Sequence, residues 1–360
     1  MSAVSTTTAS RVHTDPSRWR DLVDSDERAE FAASVRAHLG ARFGPDAARA
    51  CFDAAQPAEA WREIAAADYP VIGLPEAMGG AGSIVDAVAM VEAAGPALVP
   101  LPLVSTVTAW QTVAHAGRPS EGRAYEVSSE RRAALAVVDG TDELVVLDGA
   151  LADEVVLVDV RGAAVRVSVA DVSDAVTAVH RHVDPGRPTA VLDRTRLSET
   201  VLADGRTDVD AVLAPARTVL AADLTGVGAT ALDRAVRHAL EREQFGKRIG
   251  AFQGIKHRLA DVYVAVERAR SLTRAAAVAL ASDGTSDLSA AELALLAKAA
   301  ATDAAVDSTR AYVQVLGAMG MTFEADAHLY FRRAQQTAPF LGSAADCYRA
   351  AALVRREDHR

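Results

Sequence analysis

The stretch Glu241-Arg242-Glu243-Gln244-Phe245-Gly246-Lys247, followed by Gln253-Gly254-Ile255-Lys256-His257, decides how this chain is read. The pattern predicts a helix that ends at Gly246 and a loop that leads into a second helix. Such an end leaves Arg242 and Gln244 exposed, where a guanidinium can fork onto a diphosphate. Phe245 adds an apolar wall beside them. A segment of this kind alone is most often a charged helix end with a core phenylalanine, so its weight comes from what surrounds it.

Outward from it the texture is helical on both sides. PARTVL connects into GVGATALDRAVRHALEREQFG; then follow QGIKHRLADVYVAVERARSLTRAAAVALASDG and SAAELALLAKAAATDAAVDSTRAYVQVLGAMG, and a last stretch runs from residue 325 towards 356. These helices are long and alanine-rich, as in a close-packed antiparallel bundle. Gly226-Val-Gly228-Ala-Thr-Ala231 fits G-x-G-x-x-A, yet a dinucleotide fingerprint needs a strand before it and a turn into a helix. Here it lies within a helical pattern from about residue 218 to 243, so its small residues are read as helix-packing positions.

Earlier in the chain the pattern changes twice. Residues 25–120 read as a helical block: Ser25 and Asp26 can cap a helix with Phe31, Val35 and Leu39 on one face, and AEAWREIAAAD repeats the period. YPVIGLPEAMGGAG breaks it, helix resumes over residues 83–94, and LVSTVTAWQTVAHAG closes the block. Residues 121–214 are rich in β-branched residues with Asp-Gly and Arg-Gly turns, which predicts four to seven strands. The bundle takes 215–360, and 1–24 reads as a disordered lead.

The charge sum over 360 residues is 38 Lys+Arg against 48 Asp+Glu, a net −10, which disfavours a phosphate-backbone partner. Half the residues are hydrophobic and 24% charged, the balance of a globular protein. Two cysteines, Cys51 and Cys347, make no disulfide framework, and no Cys/His cluster suggests zinc. No uncharged apolar run reaches bilayer length and the first residues do not form a signal peptide, so a cytoplasmic location and no membrane partner are expected.

The spacing of REQFGKRIGAFQ, residues 242–253, resembles that of the acyl-CoA dehydrogenase family, with its Arg-x-x-Phe-Gly segment and a Gln opening the next helix. Gln314-Val-Leu-Gly317-Ala318-Met-Gly320 resembles the family's later glycine turn. WREIAAADYPVIGLPEAMGGAG is similar to its N-terminal Leu-Pro-Glu-x-x-Gly-Gly-x-Gly segment, and VDPGRPTAVLDRTRLSETVLAD to the end of its β domain. The resemblance covers nearly the whole chain in the right order. It implies a mainly α fold with a β middle domain: a helical N-terminal domain, a β-barrel-like middle domain and a C-terminal four-helix bundle. It also implies FAD at a subunit interface, with Arg242, Gln244, Phe245, Gln253, Gln314 and Gly317 reaching across to a partner's cofactor.

The family reaction abstracts an α-proton from an acyl-CoA thioester with a carboxylate while a β-hydride moves to the flavin. The base normally precedes a Gly-Thr; the matching segment here is Phe340-Leu341-Gly342-Ser343, and Leu341 cannot take a proton. Some members carry the base on the helix opening the bundle, and that position falls at Ala216. Asp223, about two turns on, is the nearest acid and is read as solvated or paired. The family's Thr-Glu-Pro segment and its flavin-facing Trp are both missing from 121–214; Trp19, Trp61 and Trp110 all lie in the N-terminal block.

Glu76 reads as a turn residue, and His180 with His182 lacks a third metal ligand. His257 and His328 read as surface or packed histidines, Cys347 has no base to activate it, and Arg332-Arg333 reads as a solvated basic pair unless it meets CoA phosphates or a partner. The chain is thus similar to a non-catalytic subunit of a heteromeric acyl-CoA dehydrogenase. In such enzymes, typically α2β2 and known from actinobacterial steroid side-chain breakdown, a catalytic subunit holds flavin and base. Two alternatives stand beside this: a homomeric flavoenzyme of other chemistry (a monooxygenase or secondary-metabolism enzyme), and a non-enzymatic scaffold. The sequence leaves open whether electrons leave through an electron-transfer flavoprotein.

Overall fold

Ser25 opens the first helix, its side chain accepting from the Arg28 amide, and α1 (Asp26–Arg42) buries Val35 and Leu39. The computed structural model describes residues 25–116, 125–161, 164–206, 208–282 and 288–357; the expected lead at 1–24 lies outside them. Two short helices, α2 (Pro45–Ala50) and α3 (Trp61–Ala66), follow. Trp61 donates its indole N–H to the Glu130 carbonyl at 2.7 Å, fastening the helical block to the β domain. The Gly/Pro-rich break folds as tight turns, with Gly73 at φ +80 where a Cβ would stand 2.6 Å from the Ser83 carbonyl. A capping box of Ser83 and Asp86 then starts α4 (Ile84–Ala94), and α5 (Leu103–His115) is buried along almost its whole length.

Among the described residues of the middle domain, seven strands form two sheets. The first has the order β1 (Ala133–Val138), β3 (Glu154–Arg161), β4 (Ala164–Asp171), β7 (Thr200–Arg206), with β1 and β3 parallel and the rest antiparallel. The second has the order β2 (Glu143–Val146), β6 (Thr189–Asp193), β5 (Val176–His180), all antiparallel. Alternation along β1 separates two cores. Ala134, Ala136 and Val138 join Leu144, Val146 and Leu192 between the sheets, while Ala133 and Leu135 join Trp110 and Val113 of α5. The first sheet is therefore covered on both faces, which is why β1 is wholly apolar and β3 is buried over its first six residues.

The bundle is α6 (Val209–Glu241), α7 (Gln253–Ala281), α8 (Ala290–Leu316), α9 (Ala327–Thr337) and α10 (Ala344–Glu357). Three expectations change here. First, α6 begins nine residues before residue 218: Asp208 caps it through the amides of Asp210 and Ala211, and Pro215 lies inside it. Burial of Val212, Leu213, Ala216, Val219 and Leu220 offsets the hydrogen bond the proline removes. Second, α6 stops at Glu241, before the Gly246 expected from sequence. Third, the final stretch is two helices parted by a turn at residues 338–343.

Gly226 sits in mid-α6, where a Cβ would stand 2.3 Å from the Glu92 carbonyl, and a Cβ on Gly95 would stand 2.3 Å from the Gly226 carbonyl carbon. The glycines thus let α6 and the end of α4 touch backbone to backbone, with no nucleotide-binding turn. Gly226→Ala is expected to cost roughly 1–3 kcal/mol of unfolding free energy through overpacking. Gly40→Ala, where a Cβ meets nothing within 4 Å, should instead gain roughly 0.5–1 kcal/mol. Urea unfolding of both variants checks this, and coincident midpoints would remove the close-packing explanation.

Candidate functional site

Successive antiparallel helices bring the end of α6, the start of α7 and the end of α8 to one end of the bundle. Arg258 of α7 pairs with Asp307 of α8 at 2.7 Å, and Arg234 of α6 with Asp326, at the N-cap of α9, at 2.6 Å. From this end projects a small hairpin, β8 (Glu243–Gln244) and β9 (Lys247–Arg248), turning at Phe245 (φ +54) and Gly246 (φ +76). Left-handed geometry at both central residues is the turn that suits a two-residue hairpin. It holds Phe245 92% exposed, a ring on the surface and outside any core of this chain. Its ring packs edge-on to Phe252 at 6.2 Å, and Lys247 lies 4.3 Å over Phe252.

Arg242 and Gln244 are exposed, and among the described residues no carboxylate pairs with Arg242. Gln253 is the exposed first residue of α7, whose N-cap position is Phe252, a side chain that cannot accept a hydrogen bond. Its first-turn amides therefore find no side-chain cap, a setting that favours an anion. Gln314 lies one turn from the end of α8, and Gly317 ends that helix at φ +62, donating its amide to the Gln314 carbonyl. The six predicted residues thus share one end of the bundle. No hydrogen bond or ion pair among the described residues joins Gln314 or Gly317 to the hairpin.

Gln314 also lines a groove of about 900 Å³ with Arg310, Met321, Phe323, His328 and Arg332. His328 stacks on Phe323 at 5.4 Å, and burial holds its imidazole below the ordinary histidine range. Apart from Arg310, which precedes it, these aromatic and cationic residues follow the glycine turn closely in sequence, and that nearness was the available signal for them.

Both positions to which the resemblance assigns a base are apolar. Ala216 is fully buried in α6. Leu341 occupies the turn between α9 and α10 at φ +56, and its side chain packs against the helical core on one side and the sheet–helix core on the other. The turn is held from beneath: Arg217 donates to the Leu341 carbonyl at 3.3 Å, and Lys298 to the carbonyls of Ala338 (2.9 Å) and Gly342 (3.3 Å). Lys298, missed in the sequence, is the one charge in LLAKAAA; it is fully buried, and loss of water pushes its ammonium down to about 8. Cys347 beside this turn is buried with its thiol pushed up by the same loss of water, which fits an unreactive cysteine.

Asp223 is paired with Arg187 at 2.8 Å and 3% exposed, which leaves no free acid there. The Arg332-Arg333 pair divides, against the expectation of two solvated cations. Arg332 donates to the carbonyls of His182 and Val183 and lies over Phe52. Arg333 is buried, paired with Asp184 and donating to the Leu98 carbonyl. Among the described residues no group of three or more His, Cys, Asp or Glu side chains is placed to hold a metal ion, and no helix is long and apolar enough to cross a membrane.

Residues 25–125 match the acyl-CoA dehydrogenase N-terminal domain and residues 203–345 the C-terminal domain. The chain is 38% identical over 306 residues to the acyl-CoA dehydrogenase FadE34 of Mycobacterium tuberculosis, covering 79% of itself but only 41% of that longer relative. It is 31% identical over 329 residues to the acyl-CoA dehydrogenase IpdE2 of the same organism, covering 89% of itself and 95% of IpdE2. Two solved structures share the fold: the Tcur3481–Tcur3483 steroid ACAD (TM-score 0.79, 25% identity, 93% of this chain and 99% of that one), and the ChsE4–ChsE5 complex from Mycobacterium tuberculosis (TM-score 0.77, 24% identity, 94% and 99%). With two family domains matched in order and IpdE2 covered almost end to end, the chain belongs to the acyl-CoA dehydrogenase family.

Proposed function

We propose that this chain is the non-catalytic subunit of a heteromeric, FAD-dependent acyl-CoA dehydrogenase, α2β2 in form, that desaturates a bulky acyl-CoA such as a steroid side-chain thioester. The observation that carries the proposal is the turn at Leu341: the position that should hold the base is an apolar plug wedged between two cores, and Ala216 offers no substitute. The α-proton must then be taken by a carboxylate on the partner. The exposed end of the bundle suits the diphosphate of a flavin held by that partner. Arg242 supplies an unpaired fork, Gln244, Gln253 and Gln314 supply amides, Phe245 an apolar face, and Gly317 a close backbone approach. Bound there, FAD would accept the hydride. The residue set from Arg242 to Gln253 also weighs against a bare scaffold, since an oligomer interface alone does not require a guanidinium fork, amides and an exposed ring side by side.

The names of the structural neighbours support the heteromeric form, because a steroid ACAD of two named chains and the ChsE4–ChsE5 complex are among them. The visible spectrum of this chain, alone and co-expressed with a neighbouring acyl-CoA dehydrogenase-like gene, tests the proposal. It should be colourless alone and yellow in the complex, with about one flavin per two chains. A yellow protein when alone, or four flavins per tetramer, would overturn it and point to a homomeric flavoenzyme.

A further inference from the structure

Arg187 lies in the loop before β6, 1% exposed, and its guanidinium reaches all three domains. Nε and Nη2 donate to Oδ2 of Asp148 at 2.9 and 2.7 Å, in the short connection between β2 and β3. Nη1 donates to Oδ2 of Asp223 on α6 at 2.8 Å and to the Thr337 hydroxyl ending α9 at 3.3 Å. Nη2 also donates to the Ser105 hydroxyl of α5 at 3.1 Å. Gln336 donates to the Arg187 carbonyl, and the Asp184–Arg333 pair lies against the same loop. Two guanidiniums thus face three carboxylates, all buried, and Oδ1 of Asp148 is left without a partner. Removing Arg187 would strand two carboxylates away from water.

This cluster spans from the β2–β3 connection to the residue just before the Leu341 turn. In the arrangement that the resemblance implies, a flavin held by this chain would face both a base on that turn and the β domain, and so would compete with this cluster for the same span. Side chains fill it, and among the described residues neither the groove beside Gln314 nor the three smaller clefts near Arg28, Val127 and Trp61 are lined by Arg187, Asp148 or Asp223. We infer that Arg187, with Asp148 and Asp223, is an internal strut that closes this junction to flavin and lets the chain fold without a cofactor of its own. The inference rests on reading the chain as a half-site subunit.

Thermal unfolding of the isolated full chain, with and without excess FAD, tests it. FAD should leave the midpoint unmoved. Arg187→Met should lower it by about 10 °C, from the stranded carboxylates. The triple variant Arg187→Met, Asp148→Asn, Asp223→Asn should recover most of that loss. Arg187→Lys keeps the charge without the fork, so it should show a smaller fall, and it covers the case in which Arg187→Met does not accumulate. An Arg187→Met or Arg187→Lys chain that melts with the wild type would overturn the strut. So would FAD stabilisation that persists in Arg242→Ala, since that flavin would sit at the junction. Flavin stabilisation that Arg242→Ala abolishes belongs to the exposed half-site and leaves the strut standing. The strut can fail while the complex still carries half its flavin, and the stoichiometry can fail while the strut holds.

Discussion

In the proposed heteromeric complex, Arg242→Ala is expected to weaken FAD retention by roughly 10- to 100-fold, the worth of a charge-assisted hydrogen bond to an anion. Arg242 is exposed at the end of α6, and among the described residues it pairs with no carboxylate. Its removal should therefore leave the fold within about 0.5 kcal/mol of wild type, as for an ordinary surface change. That separation makes the variant informative, because flavin is lost without loss of the chain. Gln314→Ala should give a smaller effect, since a neutral amide contributes less than a guanidinium. Flavin fluorescence after repeated dilution and ultrafiltration measures both. An unchanged dissociation constant for Arg242→Ala would remove the half-site assignment.

The unfolding free energy of the wild type should rise with pH between about 8 and 10.5, relative to Lys298→Met, by on the order of 3 kcal/mol. Burial lowers Lys298 from 10.5 to about 8, so in this window the unfolded chain holds a proton that the folded chain has released. Stability then climbs as pH rises, while below the window both states are charged and the penalty is constant. Each form of the side chain finds partners: the ammonium donates to Ala338, Gly342 and Thr302, and the neutral amine can still donate to the two carbonyls. Titrations remote from Lys298 occur in both proteins and cancel in the difference; that of the neighbouring Cys347 thiol, whose charge interacts with Lys298, is removed by making the comparison in a Cys347→Ser background. Urea unfolding at several pH values gives the two curves. Parallel curves would mean that the ammonium keeps its proton in the fold throughout that range.

What the sequence determined by itself is what local spacing encodes. The three-block order followed from a period near 3.6 giving way to β-branched alternation and back. Ser25 and Ser83 marked true helix starts, and the glycines at 226 and 228 read correctly as packing positions because no strand preceded them. The family, and the absence of a carboxylate at Leu341 and Ala216, were legible because short motifs place them by number along the chain. The early start of α6 was not, since Pro215 argues locally against a helix and only the burial around it reverses that preference. Nor was the end of α6 at Glu241, because the hairpin at Phe245 and Gly246 satisfies backbone groups that a continuing helix would have used. Tertiary structure alone decided the charges. Asp223 meets Arg187 from 36 residues away and Arg333 meets Asp184 from 149. Whether such a group is solvated, paired or entombed depends on which distant segment folding delivers to it, and pattern along the chain carries no record of that.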